Sequence, residues 1–219
     1  MSNGTALRTE RLCISQCMWS NSDHCEFLAR LERTLRIPNG RPQKTAIRSP
    51  DDANRSLYHD HRSQWGRYGH GTYLIALSDR SCSPEETGQT LIDPRRYQPI
   101  GKISLTTWDA PRPVHATELF VSIMPEYQRH GYATEAARAL LDSVEKQYGL
   151  TEYFAFATLD TPYTDAARGF THKLGLQERG LMKRYCLDGI VYSTEGMGSD
   201  VFLAKSMPLS SDADLMEID

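Results

Sequence analysis

The chain has 219 residues, which is long enough for one domain with its own hydrophobic core, and 39% of them are hydrophobic and 24% charged, as in ordinary globular proteins. The net charge of −3 excludes the strongly basic surface typical of nucleic-acid-binding proteins. No stretch approaches the roughly 20 apolar residues that span a bilayer, and no apolar signal segment stands at the start, so we expect a cytoplasmic protein without membrane contacts.

Neither the cysteines nor the histidines are spaced as metal ligands. The five cysteines match no zinc or redox motif, and we expect reduced thiols at Cys13, Cys17, Cys25, Cys82 and Cys186. His59 and His61 stand two residues apart in a predicted helix and therefore point in different directions, whereas helical zinc pairs are four apart. No metal is expected.

The first part of the chain predicts one strand and two helices. Alternating polar and apolar residues indicate a strand at about 11–17. Asn21 supplies the start of a first helix, which should end near Pro38. Ser49 is a strong second start, because it can cap the helix and is followed by a proline and two carboxylates. Gly66, Gly69 and Gly71 should break this second helix.

The middle of the chain carries three strands and the most regular helix. The strands are predicted at 73–77, 100–105 and 116–124. The polar segment 78–99 has no apolar periodicity and is interpreted as a long hairpin connection. Residues 133–148 carry one continuous apolar stripe at helical spacing, and Gly149 is placed to end that helix.

The last part of the chain predicts a strand, a helix and two more strands. These elements are expected at 153–158, 163–173, 177–187 and 199–206. The order β-α-α-β-β-β-α-β-α-β-β, with helices interleaved with a mostly antiparallel run of strands, indicates a mixed α/β sheet protein. It has no signature of a barrel or of a dinucleotide-binding unit.

A glycine-containing segment, residues 128–134, lies between the third middle strand and the regular helix. The first turn of a helix has unpaired N–H groups and carries the positive end of the helix dipole. A tight loop that leads into it aims several amides at one point and forms an anion site. Gly131 lets a phosphate approach the backbone, and Arg129 and His130 add positive charge. Many proteins with a strand, a glycine turn and a helix bind no ligand, so both interpretations stay open on spacing alone.

The same segment resembles a known family. Residues 125–136, PEYQRHGYATEA, are similar to the central motif of the GNAT superfamily of N-acetyltransferases, and most closely to its RimJ/RimL-type ribosomal-protein branch. Three further stretches agree in the expected order, namely LRTERL at 7–12, PIGKISL at 99–105 and KLGL at 173–176. In that family the amides of the central motif bind the pyrophosphate of acetyl-CoA.

The resemblance implies an acetyltransferase domain over residues 7–206. The acidic and serine-containing composition of residues 207–219 predicts a mobile tail. The implied fold is a mixed, mostly antiparallel central sheet flanked by helices, with a splayed central strand, and the implied co-substrate is acetyl-CoA. The pyrophosphate loop would comprise Gln128, Arg129, His130, Gly131, Tyr132 and Ala133, with Thr134 in the first helical turn. Main-chain groups of Val121 and Ile123 would pair with the pantetheine arm.

Glu118 is the candidate general base, because it precedes the two strand residues just named at a place where many relatives carry a glutamate. Transfer to an amine needs a neutral nucleophile, so a base must remove a proton. The alternative is a solvent-facing strand carboxylate. The last helix departs from the family pattern, since Thr164 and Ala167 stand where relatives often have asparagine and serine, and Thr171 stands where other branches have an acidic tyrosine.

The predicted activity is transfer of an acetyl group from acetyl-CoA to a primary amine of a small molecule or of a protein N-terminus. A metabolite hydroxyl as acceptor, or a longer acyl chain, is the alternative within enzymes. The substitutions in the last helix leave open a non-catalytic CoA-binding or sensor module. No nucleic acid or membrane partner is expected, and the protein is expected to be a monomer or homodimer.

Overall fold

The computed structural model describes residues 6–35, 47–78, 97–109, 115–159, 161–184 and 187–197. The chain divides into two compact units. The first comprises residues 1–107 and 117–151, and the second comprises residues 108–116 and 152–219. The predicted tail at 207–219 and the predicted strand at 199–206 lie outside the described residues.

The first unit contains five strands in spatial order β1-β2-β3-β4-β5. Their bounds are Leu7–Arg8, Leu12–Gln16, Thr72–Leu77, Pro99–Asp109 and His115–Ile123, the end of β4 and the start of β5 being counted in the second unit. The pairs β1/β2, β2/β3 and β3/β4 are antiparallel, with Ile14 opposite Ile75 and Tyr73 opposite Ile103. This register places the fully buried Ile14 and Ile75 on the same face.

Two capped helices follow β2. Helix α1 spans Ser22–Thr34, and the Asn21 side chain accepts hydrogen bonds from the amides of Asp23 and His24. Helix α2 spans Pro50–Asp60 and begins with a capping box, in which Ser49 Oγ accepts from Asp52 N at 3.1 Å and Asp52 Oδ2 accepts from Ser49 N at 3.0 Å. The predicted starts of both helices are therefore confirmed.

Of the three glycines predicted to break the second helix, Gly69 does so and Gly66 does not. After Asp60 the backbone continues as a π-helical turn over His61–Trp65 and one α-helical turn, α3, over Gly66–Tyr68. Gly66 has a helical φ of −68°, so it does not interrupt the helix, whereas Gly69 has a φ of +75° and ends it. Only the left-handed conformation reverses the chain here, and glycine adopts it without a steric penalty.

Helices α1 and α2 cover one face of the strands. Their buried side chains pack in one cluster with residues from β2 and β3, and the cluster includes Cys13, Leu74, Ala76, Phe27, Leu28, Leu31, Ala53 and Leu57. Helix α4 spans Tyr132–Tyr148, contacts β1 and β2, and buries the predicted apolar stripe, including Leu140 and Val144. Because Leu12 and Ile14 alternate with Cys13 and are fully buried, both faces of β2 are covered.

The second unit contains the strands β6 (Tyr153–Thr158), β7 (Gln177–Arg184) and β8 (Leu187–Ser193) in spatial order β6-β8-β7, together with helix α5 (Thr164–Lys173). Both strand pairs are antiparallel. The strand predicted at about 177–187 is confirmed as β7 but ends earlier, because Leu187 already pairs with Arg184 as the first residue of β8. The predicted β6 is confirmed at its predicted bounds.

The mixed α/β class with mostly antiparallel strands and flanking helices is confirmed. The predicted splay of the central strand stays a prediction. Of the helices that the structure describes, none combines the length and the hydrophobicity needed to cross a membrane.

Candidate active site

The candidate site begins where β5 ends. Met124 N donates a hydrogen bond to the Ile100 carbonyl oxygen at 2.8 Å, so β5 stays attached to β4 up to its last residue. A single 3₁₀ turn, Pro125–Tyr127, follows, and the Gln128 side chain folds back so that Nε2 donates to the Ile123 carbonyl oxygen at 2.9 Å. These bonds fix both ends of the segment that leads into the loop.

The loop itself contains two residues in the left-handed region. Arg129 has a φ of +67° and Gly131 a φ of +83°. A left-handed residue other than glycine costs on the order of 1–2 kcal/mol, so the surrounding contacts must hold Arg129 in place. Gly131 is the N-cap of α4 and has no side chain with which to cap the helix amides. Arg129, His130 and Gly131 are exposed to solvent.

Three carbonyl groups of the loop are engaged on the protein side. The Gln128 carbonyl oxygen accepts from His130 Nδ1 at 2.8 Å, and the His130 carbonyl oxygen accepts from Arg11 Nη1 at 3.0 Å. The Gly131 carbonyl oxygen accepts the first intrahelical bond, from Glu135 N at 3.1 Å.

These carbonyl contacts determine where the loop amides point. In a planar trans peptide the C=O of one residue and the N–H of the next are antiparallel. The N–H groups of Arg129, Gly131 and Tyr132 therefore point away from the groups that bind the preceding carbonyls. The amides of Ala133 and Thr134 precede the first intrahelical donor and have no helical partner. The loop thus offers a series of backbone donors at the positive end of the α4 dipole, which suits a phosphate or diphosphate.

The side chains of the loop form a small stack. The His130 and Tyr132 rings are nearly parallel, with centroids 5.7 Å apart, and the Arg11 guanidinium carbon lies 4.8 Å from the Tyr132 ring centroid. Tyr132, Ala133 and Thr134 are half-buried.

Arg11 and Glu135 form an ion pair that the sequence analysis did not anticipate. Arg11 Nε and Nη2 lie 2.7 and 2.5 Å from Glu135 Oε2. Thr9 Oγ1 donates to Glu135 Oε1 at 2.5 Å, and the Thr9 and Arg11 hydrogen bonds hold the pKa of this carboxyl below its usual value, against the effect of partial burial. Both residues stand in motifs that carried the family resemblance, but 124 positions separate them.

Glu118 lies in the middle of β5 and is 7% exposed. The alternative of a solvent-facing carboxylate is therefore wrong. Strand alternation places Glu118 and Phe120 on the same face of β5, and Phe120 is 46% exposed, so that face is open next to Glu118. Lys102 lies over the Phe120 ring, with Nζ 5.4 Å from its centroid, and is ion-paired with Glu32 at 2.5 Å.

The two strand residues predicted to contact the cofactor differ in exposure. Val121 is half-buried and Ile123 is 7% exposed, and both lie on the last part of β5 before the loop. The strand at this point runs against Gly101 of β4, where a Cβ atom would lie 2.3 Å from the Ser122 carbonyl oxygen. Only glycine permits this close approach of β4 and β5.

In helix α5, two residues that depart from the family pattern, Thr164 and Thr171, make local hydrogen bonds. Thr164 Oγ1 lies 2.9 Å from the carbonyl oxygens of both Thr158 and Thr161, so this hydroxyl is used in the turn that begins α5. Thr171 is buried, and its hydroxyl donates to the Arg168 carbonyl oxygen at 2.9 Å within the helix. Neither side chain supplies an acidic proton of the kind a tyrosine would.

Across the described part of the chain, no group of three or more His, Cys, Asp or Glu side chains is arranged to hold a metal ion. Residues 128–134 form one continuous turn into α4, and their role in binding a cofactor stays a prediction. The residues that sequence reasoning missed are Arg11 and Glu135, which contact the loop from outside it.

Comparisons with solved structures support the fold. A GNAT-family acetyltransferase from Bordetella pertussis, described as putative, superposes with a TM-score of 0.62 at 16% identity, covering 86% of this chain and 98% of its own. Ribosomal-protein-S5-alanine acetyltransferase from Vibrio fischeri superposes with a TM-score of 0.61 at 16% identity, covering 86% of this chain and 95% of its own. RimL, the ribosomal L7/L12 α-N-protein acetyltransferase, was solved in complex with coenzyme A. It superposes with a TM-score of 0.60 at 11% identity, covering 86% of this chain and 97% of its own.

Comparison with curated proteins gives no match. The profile of the Acetyltransferase (GNAT) family matches residues 53–176, which is more than half of the chain and includes β5, the loop and α4. Members of this family transfer acetyl groups from acetyl-CoA. The chain belongs to the GNAT family of acetyltransferases.

Proposed function

We propose that this acetyltransferase transfers the acetyl group of acetyl-CoA to a primary amine, either of a small molecule or of a protein N-terminus. The observation that carries the proposal is the row of outward-pointing amides at Gly131, Tyr132, Ala133 and Thr134, at the start of α4. A diphosphate placed there accepts charge-assisted hydrogen bonds and gains from the helix dipole.

The loop fixes one end of the cofactor and thereby places the other. With the pyrophosphate on the loop from Gln128 to Thr134, the pantetheine arm extends along the adjacent end of β5, where main-chain groups of Val121 and Ile123 are its partners. Extended backbone can bond the amides of such an arm as a neighbouring strand would. This arrangement holds the thioester near the middle of β5, the region of Glu118.

Glu118 is the proposed general base. The amine nitrogen attacks the thioester carbonyl carbon, Glu118 takes the proton that the amine loses, directly or through one water, and the C–S bond then breaks to release the thiolate of CoA. A main-chain N–H of the strand stabilises the developing oxyanion. Since Thr171 cannot act as a tyrosine would, we assign protonation of the thiolate to solvent.

The open face beside Glu118 is the proposed acceptor side. Phe120 provides an exposed aromatic ring, and Lys102 and Glu32 provide a pair of opposite charges at its edge. Two of the similar solved structures are named as acetyltransferases of ribosomal proteins, one of them as an α-N-protein acetyltransferase. This supports a protein N-terminal amine as acceptor and the RimJ/RimL-type branch. We also propose that the protein acts in the cytoplasm.

The alternative favoured by a specific observation is a CoA-binding module without turnover. Thr164 and Thr171, which replace functional side chains of relatives, are committed to bonds within their own unit. The test is release of CoA thiol from acetyl-CoA in the presence of a panel of small amines, alcohols and short peptides with free or blocked N-termini. Turnover with free N-terminal peptides or amines is expected. Turnover with alcohols alone would replace the amine assignment, and tight CoA binding without turnover would establish the module.

A further inference from the structure

Arg11 contacts the loop from the turn between β1 and β2, outside the segment that the family resemblance identifies with the cofactor. We propose that Arg11 is a positioning residue for the pyrophosphate loop: it holds the His130–Gly131 peptide so that the Gly131 N–H points to the diphosphate. This inference rests on the proposed binding of acetyl-CoA at that loop.

The geometry of one peptide group carries the argument. Arg11 Nη1 donates to the His130 carbonyl oxygen at 3.0 Å. Since the His130 C=O and the Gly131 N–H belong to one planar peptide, fixing the carbonyl towards Arg11 fixes the amide in the opposite direction. Gly131 has the conformational freedom to rotate this peptide, because its φ of +83° lies where glycine has several accessible conformations. An external contact is therefore needed to select one orientation.

The guanidinium is itself held in place. Nε and Nη2 form a forked contact with Glu135 Oε2, at 2.7 and 2.5 Å, while the guanidinium plane packs on the Tyr132 ring. The Arg11 amide also donates to Glu135 Oε1, at 3.3 Å. Arginine can make these contacts together because its donors form a rigid planar fork, whereas a lysine ammonium is a single point charge.

The placement of Arg11 excludes a simple surface ion pair as its whole role. Nη2 lies 3.6 Å from the position that a Cβ atom on Gly131 would occupy, so the guanidinium lies beside Gly131 as well as beside the His130 carbonyl. A surface pair alone contributes about 0–1 kcal/mol to stability and would leave the loop unaffected. The bond to the His130 carbonyl instead connects the pair directly to a donor of the proposed anion site.

Three variants separate these roles. Arg11→Gln removes both the ion pair and the bond to the His130 carbonyl. Glu135→Gln removes the charge pair but keeps Arg11, its bond to His130 and an amide oxygen that accepts from the guanidinium; it also removes a negative charge near the proposed anion. Arg11→Lys keeps the charge without the fork.

The measurement is the dissociation constant of each protein for three ligands: CoA, dephospho-CoA and pantetheine. Dephospho-CoA keeps the pyrophosphate, whereas pantetheine lacks it. Pantetheine binding is measured by competition with labelled CoA. We expect Arg11→Gln to weaken CoA and dephospho-CoA binding by about ten- to a hundredfold. The affinities of Arg11→Lys for CoA and dephospho-CoA should lie between those of Arg11→Gln and the wild type. Glu135→Gln should change both affinities by less than about fivefold.

The contrary results are distinct. Equal losses in Arg11→Gln and Glu135→Gln would show that the ion pair, rather than the peptide orientation, matters, and would overturn the inference. Equal losses for pantetheine and CoA, or no loss in a folded Arg11→Gln protein, would also overturn it while leaving the proposed function intact. Wild-type protein that binds neither CoA nor dephospho-CoA would remove the proposed function together with this inference.

Discussion

Gly131 and Gly149 begin and end helix α4 in the same left-handed conformation, with φ angles of +83° and +68°. A β-branched side chain at either position meets the same backbone strain, and neither site has a close neighbour, the nearest atom to a Cβ on Gly131 being 3.6 Å away. The two glycines are therefore a matched pair that differs in position relative to the proposed anion site.

We expect Gly131→Val to abolish CoA binding, whereas Gly149→Val should leave the CoA affinity within about threefold of the wild type. Both variants should lose a similar unfolding free energy, at least about 1–2 kcal/mol. The strain at Gly131 rotates the loop amides and places two methyl groups beside them, whereas the strain at Gly149 acts at the far end of the helix. Titration calorimetry with CoA and thermal melts measure the two effects. Normal CoA affinity in a folded Gly131→Val protein contradicts the loop assignment.

Glu118→Gln should lower kcat by about 10²–10⁴-fold and leave the CoA dissociation constant unchanged, because the carboxylate acts on the acceptor proton. Steady-state kinetics over a range of pH, with the amine found by the acceptor panel, measure this. Glu145→Gln, which changes an exposed carboxylate on α4, is the control. A Glu118→Gln enzyme with wild-type rates at every pH would exclude Glu118 as the base.

The sequence predicted those parts of the fold that depend on short-range patterns. Ser49 with its proline and carboxylates, the stripe that ends at Gly149 and the β6 bounds are determined by neighbouring residues, and all three are confirmed. Among the glycines predicted to break the second helix, Gly69 ends it but Gly66 does not. Glycine tolerates a helical φ when the flanking turns pack well, so its presence alone does not end a helix.

The residues of the candidate site also differ in whether the sequence could predict them. Gly131 and the loop could be located because a strand, a glycine and a regular helix are adjacent in sequence. The Arg11–Glu135 pair could not, since its members are 124 positions apart and nothing in a single sequence specifies which charges meet. The burial of Glu118 was also not predictable, because strand alternation gives two faces without saying which is covered.

His70 should make the protein less stable at mildly acidic pH. Its Nδ1 donates to the Leu105 carbonyl oxygen at 3.2 Å, its Nε2 lies 3.4 Å from Thr107 Oγ1, and burial lowers the pKa of the ring below 6.5. The unfolded chain then binds more protons than the folded protein as the pH falls through about 6.5. The free energy of unfolding should fall with pH in that window, by up to about 1.4 kcal/mol per pH unit.

Urea unfolding of wild type, His70→Gln and the exposed-site control His59→Gln at pH 7.5, 6.5 and 5.5 isolates this contribution. The slope of unfolding free energy against pH should be smaller in His70→Gln than in the other two proteins. Equal slopes in all three would mean that His70 takes up a proton as easily in the folded protein as in the unfolded chain.

The thiols of Cys17 and Cys25 should be unreactive in the folded protein. Both are 3% exposed and lie in the core cluster between α1 and the strands, Cys25 on α1 itself, and burial raises the pKa of each thiol. The negative charge that Cys25 carries when ionised raises the pKa of Cys17 further. Because the thiolate is the nucleophile, alkylation by iodoacetamide at pH 8 should be at least about tenfold slower at both residues than at an unstructured cysteine peptide added as internal standard. Peptide-resolved mass spectrometry measures each site separately, and labelling in urea should restore both to the rate of the standard. Rapid labelling of either residue in native buffer would show instead that the contact between α1 and the strands opens readily, since burial raises the pKa of both thiols while that contact is closed.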